Sequence, residues 1–135
     1  TFARSARPPQ SASPRPKSTE RAAPLRVPEV TAGELMAELA ADDRRAALLL
    51  DCREAFERRQ AFIPGSLHIA MNTIPDRLSD LQRDQEIVVY CAHGNRSYSV
   101  AGWLIQQGFA ARSRQGGIVD WQAHGGPIES ALRRA

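Results

Sequence analysis

The 135-residue chain has the length of one domain, and its 42% hydrophobic and 24% charged content is that of an ordinary globular protein. It holds no apolar run of 18 residues, so no transmembrane helix is expected, and two cysteines without a CxxC pair argue against both a disulfide framework and a zinc site. The net charge of +3 is uneven: residues 1–27 carry six basic side chains against Glu20, whereas the remainder holds 12 basic and 14 acidic side chains and gives no compositional reason to expect nucleic-acid binding.

Residues 1–27 are rich in Pro, Ser, Ala and Arg and show no hydrophobic periodicity. Such a stretch cannot bury enough apolar surface to offset its ordering entropy, and it reads as a disordered tail, or as a linker from an N-terminal domain preceding Thr1. Its proline density argues against the amphipathic helix of an organellar transit peptide. Residues 28–130 carry the folded domain, and residues 131–135 read as a frayed end.

A short strand is expected over Val27–Val30. Thr31 then offers a helix N-cap with Glu34 in capping-box register, and Leu35, Met36, Leu39 and Ala40 form the apolar face of that helix. Asp42–Arg45 reads as a solvated polar turn. The run Ala46–Leu50 ending at Asp51 suits a parallel strand buried on both faces. Asp51 and Arg53 then stand at its carboxyl end, where open α/β sheets place their ligand crevices, either as a polar rim or as a brace between loops. Ala55–Gln60 reads as a short helix, Pro64-Gly65 as a turn, Ser66–Ile69 as a short strand and Asn72–Leu81 as a turn with a short helix. Phe62 and His68 read as structural. Further on, Phe109–Arg112 is expected as the last strand and Val119–Ala123 as a short helix with Trp121 packed inward.

The most informative stretch is Ile87-Val88-Val89-Tyr90-Cys91-Ala92-His93-Gly94-Asn95-Arg96-Ser97. A strand over Glu86–Tyr90 stops at a cysteine. A small polar loop follows, and a helix begins near Ser97 and runs to Gln107, with Val100, Ala101, Leu104 and Ile105 inward and Gly108 as its stop. A thiolate is the reactive form of cysteine, and this arrangement favours it. Backbone N–H groups of Ala92–Arg96 turned inward make an anion-binding concavity, the helix N-terminus faces the same spot, and Arg96 adds a positive charge. Gly94 suits a backbone that passes close to a bound group. His93 is a candidate acid or base, although transfer to an ionised thiol hardly needs one.

Cys-Ala-His-Gly-Asn-Arg-Ser, Cys91–Ser97, resembles the active-site loop of the rhodanese (sulfurtransferase) family. Leu49-Leu50-Asp51-Cys52-Arg53-Glu54 resembles that family's LLDVRE signature, and Ile63-Pro64-Gly65-Ser66-Leu67-His68-Ile69 its HIPGAxNI, with Ala61 and Phe62 replacing the usual Gly-His. Gly116-Gly117-Ile118, Trp121 and Gly125-Gly126-Pro127-Ile128 resemble its closing GGxxxWxxxGxPV. The resemblance spans roughly residues 29–129. It implies a three-layer α/β domain with a mainly parallel central sheet flanked by helices, in the single-domain form.

It also implies transfer of sulfane sulfur from a small anionic donor such as thiosulfate, through a persulfide on Cys91, to cyanide, a thiol or a partner protein's cysteine. Ala92, His93, Gly94, Asn95, Arg96 and Ser97 would bind the donor, with Arg53 helping to steer it, and Asp51 would support the loops. The Cys91–Arg96 loop of six residues suits a sulfur-sized group, whereas related phosphatases and arsenate reductases use seven. A binding module without turnover is the other alternative. Cys52 stands where the family usually has valine, either as a buried thiol or as a partner that protects Cys91 as a disulfide. No metal or other cofactor is expected, and a working thiol points to the reducing cytoplasm.

Overall fold

The computed structural model describes residues 26–41 and 46–133. The tail read as disordered lies outside them up to residue 25, as does the polar turn Asp42–Arg45. In chain order the elements are β1 (Glu29–Val30), α1 (Ala32–Ala40), β2 (Leu48–Asp51), α2 (Ala55–Gln60), β3 (Leu67–His68), a 3-10 segment (Met71–Asp80), β4 (Ile87–Tyr90), α3 (Asn95–Gln106), β5 (Ala111–Arg114), α4 (Gly117–Ala123) and a 3-10 turn (Ala131–Arg133).

β4 is Ile-Val-Val-Tyr, with all four residues buried. Branched side chains restrict the backbone to extended conformations, and an unbroken apolar run can be covered on both faces only inside a parallel sheet. The five strands lie in the order β1-β5-β4-β2-β3, and every pairing is parallel. β2 meets β4 in the register Leu48↔Ile87 to Asp51↔Tyr90. Alternate residues divide between two cores. Leu50, Cys52, Ile87, Val89 and Cys91 pack on one face with Val100, Ala101 and Leu104 of α3. Leu49, Val88 and Tyr90 pack on the other with Leu35 of α1 and Ile118 and Trp121 of α4. Helices therefore cover both sides of the sheet, giving the three-layer α/β architecture.

Several boundaries differ from the sequence reading for local reasons. α3 begins at Asn95, two residues before Ser97, because Gly94 takes a φ of 106° and caps the helix directly. The last strand is Ala111–Arg114 rather than Phe109–Arg112. Gly108 N–H donates to Ile105 O and Phe109 N–H to Leu104 O, both at 3.0 Å, so Phe109 still belongs to the wrap that closes α3. α1 keeps its Thr31–Glu34 capping box but docks through Ala32 and Leu35, leaving Leu39 41% exposed instead of inward-facing. Residues 71–80 form 3-10 turns kinked at Arg77 rather than one α-helix, with Pro75 inside the segment.

From β2 the chain crosses to β3 on one side, and from β4 it crosses to β5 on the other. The carboxyl ends of β2 and β4 thus form the topological switch point, where a parallel sheet opens a crevice. Cys91 follows β4 at that point.

Candidate active site

The turn after β4 wraps around the Cys91 sulfur. Gly94 N–H donates to Sγ at 3.1 Å and Ser97 N–H at 3.3 Å. The Ser97 hydroxyl lies 3.5 Å from Sγ and 2.8 Å from the hydroxyl of Ser113 on β5. Cys91 is only 1% exposed. Burial pushes its thiol up, but the Ser97 hydroxyl and the N–H groups of Ser97, Gly94 and His93 outweigh it, and the net displacement is downward. Hydrogen bonds from neutral donors, more than any ion pair, favour the thiolate form here.

The outer side of the loop is fixed by α4. Ile118 N–H donates to Cys91 O at 2.9 Å and Val119 N–H to Ala92 O at 3.2 Å. This contact requires glycine at position 117, where φ is +68° and a Cβ would fall 2.2 Å from Ala92 O.

The expected donor-binding residues divide into groups. Gly94 and Ser97 contact the sulfur. Ala92 shapes the turn, and His93 and Asn95 are exposed on the rim. Arg96 is half-exposed, and its Nη1 and Nη2 donate to Glu57 of α2 at 2.8 and 2.9 Å. This pairing drives the Glu57 carboxyl down to about 2. Of the two roles expected of Arg53, brace and steering, the geometry shows the brace. Arg53 is 4% exposed, its Nε and Nη2 each donate to Asp51 at 2.9 Å, and Nη2 also donates to Ala61 O. Its charge belongs to a brace because the short turn after β2 folds the guanidinium back onto the carboxylate two residues earlier. Burial pushes the Asp51 carboxyl up, yet the Arg53 side chain and N–H bring it below the usual range.

That brace extends further. Tyr90 O–H donates to Asp51 at 3.2 Å and accepts from Ile63 N–H at 3.0 Å. Arg58 reaches Asp51 at 3.4 Å and the Ser66 hydroxyl at 2.8 Å. His68 Nε2 lies 2.7 Å from Arg53 O, in the structural role expected of it. Cys52 is fully buried, on the same sheet face as Cys91, and both thiols are free. Burial, with the neighbouring Cys91 and Asp51 charges adding to it, pushes the Cys52 thiol up to about 12. Among the described residues no group of three or more His, Cys, Asp or Glu side chains is arranged to hold a metal ion, and no helix is long and apolar enough to cross a membrane.

The rhodanese-like domain family matches residues 31–124, which run from the cap of α1 to the end of α4 and include the whole sulfur cradle. The chain belongs to the rhodanese family. It is 39% identical over 103 residues to a sulfurtransferase of Allochromatium vinosum, covering 76% of this chain and 94% of that protein. It is 38% identical over 80 residues to the thiosulfate sulfurtransferase GlpE of Pseudomonas savastanoi, covering 58% of this chain and 76% of that one. Among solved structures, a rhodanese-related protein from Thermoplasma volcanium superposes with a TM-score of 0.69 at 31% identity, over 76% of this chain and 97% of the other. These relatives make it a sulfurtransferase-type rhodanese domain.

Sequence reasoning missed three members of this rhodanese site. Ser113 supports Ser97 from β5, and it fell one residue beyond the strand expected over Phe109–Arg112. Glu57 pairs with Arg96 across 39 residues of sequence, where no spacing rule operates. Tyr90 read as one more apolar strand residue, whereas its hydroxyl joins the Asp51 brace.

Proposed function

We propose that the protein moves sulfane sulfur from a donor such as thiosulfate to a thiophilic acceptor through a persulfide on Cys91. The observation that supports this best is the Cys91 sulfur held by Gly94 and Ser97 N–H groups at a helix start, in a six-residue turn. The cradle holds anionic sulfur in preorganised donors, which need no rearrangement as charge moves along an S–S bond.

In the first half-reaction the Cys91 thiolate attacks the outer sulfur of thiosulfate. A Cys91 S–S bond forms, the donor's S–S bond breaks, and sulfite leaves with the bonding electron pair. In the second, cyanide or a thiolate attacks the outer sulfur of the persulfide, and the Cys91 thiolate is released. This is double displacement through a covalent intermediate. No step requires a proton from His93. A thiol that must remain reduced between cycles suits the cytoplasm.

Intact-protein mass tests the reading, measured without reductant after exposure to thiosulfate and, in parallel, to an alkyl hydropersulfide. Wild type should gain about 32 Da per transferred sulfur, as expected for a persulfide cap, and Cys91→Ser should gain nothing. No gain with either donor would favour a binding module instead.

A further inference from the structure

Arg96 is the single lysine or arginine in the loop Cys91–Ser97. A free guanidinium there would attract multiply charged anions to the sulfur. It is instead held at 2.8 and 2.9 Å by both oxygens of Glu57, a two-point pair with fixed geometry. The carboxylate is itself anchored. Its Oε2 accepts from Glu54 N–H at 3.0 Å at the start of α2, and the Glu57 side chain is only 18% exposed. The two neighbouring arginines, Arg53 and Arg58, are both tied to the one Asp51 carboxylate, so their net positive charge is held in the brace and not on the loop. The thiolate is stabilised by N–H dipoles from Gly94 and Ser97. Such a cradle favours one negative charge on sulfur, and the nearby carboxylate opposes additional ones.

We propose that Glu57 is a specificity-determining residue: by neutralising Arg96 it turns the site toward hydropersulfide donors of low charge and away from dianions such as thiosulfate. This rests on the reading of Cys91 as the sulfur acceptor. In the favoured step the Cys91 thiolate attacks the outer sulfur of R–S–SH. The new Cys91 S–S bond forms, the donor's S–S bond breaks, and RS⁻ departs with the electron pair while the transferred sulfur keeps its proton. The step uses the protonated form of a donor that carries at most one negative charge, against two on thiosulfate, so less charge has to enter beside Glu57.

The test is the rate of Cys91 persulfide formation with thiosulfate, a dianion, and with 2-hydroxyethyl hydropersulfide, which carries at most one negative charge, at low and high salt. Glu57→Gln should raise the ratio of kcat/KM for thiosulfate over the hydropersulfide about tenfold, chiefly through KM for thiosulfate, and added salt should shrink the change. Arg96→Gln, which leaves Glu57 uncompensated, should move the ratio in the opposite direction. Opposite signs separate a charge effect from loop damage, which would slow both donors in both variants. A ratio unchanged in both variants, or moved the same way by both, overturns the assignment of Glu57 alone. Wild type that forms no Cys91 persulfide with either donor overturns the sulfurtransferase reading and this inference with it.

Discussion

At the scale of single residues, the chemistry rests on two thiols driven in opposite directions. Cys91 receives N–H donors and lies beside the Ser97 hydroxyl, which together favour its anion, whereas Cys52, seated in an apolar layer of the same sheet face, is pushed up to about 12. Iodoacetamide should therefore alkylate native Cys91 with a pH midpoint below the ordinary thiol range and leave Cys52 unlabelled through neutral pH, as peptide mapping would show. Labelling of both at equal rates would contradict this difference. Ser97→Ala removes a hydroxyl from the sulfur and should move the Cys91 midpoint upward. The alkylation rate at pH 7 should fall by about twofold to twelvefold, the worth of one hydrogen bond of about 0.5–1.5 kcal/mol. The protective disulfide between the two cysteines remains open to a direct comparison of wild type and Cys52→Val for peroxide sensitivity and persulfide lifetime.

At the scale of elements, the active turn is held by two helices that do not belong to it. α4 presses Gly117 against Ala92 O. Gly117→Ala should slow persulfide formation more than tenfold, because backbone must move away from the new methyl. Gly125→Ala is the control: its φ is +83° but nothing lies within 4 Å of the added Cβ. It should cost only the left-handed strain of about 1–2 kcal/mol in urea unfolding and leave the turn in place. On the other side, α2 supplies Glu57. Its folded carboxyl titrates near 2, below the unfolded value, so the unfolded state takes up the proton first as acid is added. The stability it confers is complete above about pH 4.3, the ordinary glutamate value, and is lost as the pH falls toward 2. The urea-midpoint gap between wild type and Glu57→Gln should accordingly be open at pH 7 and closed near pH 2. The cap of α1 is a smaller, independent term, with Thr31→Ala expected to lower stability by about 1 kcal/mol.

For the whole molecule, the Asp51 carboxylate is the junction. It receives Arg53 from the turn after β2, Arg58 from α2 and Tyr90 from β4, and through Tyr90 and Arg58 it reaches Ser66 ahead of β3. Asp51→Ala would leave Arg53 buried without its anion, and removing one partner of such a pair typically costs about 3–5 kcal/mol. That is a large share of a domain stability of about 5–15 kcal/mol, so the urea midpoint should drop sharply, and a change within error would show the junction to be dispensable. The same arrangement explains why the fold and the site were unequally legible. The runs Leu48–Asp51 and Ile87–Tyr90, the Thr31–Glu34 cap and the turn Cys91–Ser97 each form through residues close in sequence. Leu39, the start of β5 and the partner of Arg96 depended on what packed against them.

By itself the sequence determined the parallel three-layer architecture and the turn around the Cys91 sulfur. Apolar runs, capping pairs and glycine punctuation act locally, and backbone stereochemistry translates them directly into strands, helix starts and turns. Only the tertiary structure decided that Arg96 is neutralised by Glu57 and that Ser113 stands behind Ser97. A charge or hydroxyl takes the best partner within hydrogen-bonding reach. For these side chains that reach is set by how α2, α3 and β5 come together, which residue spacing does not encode.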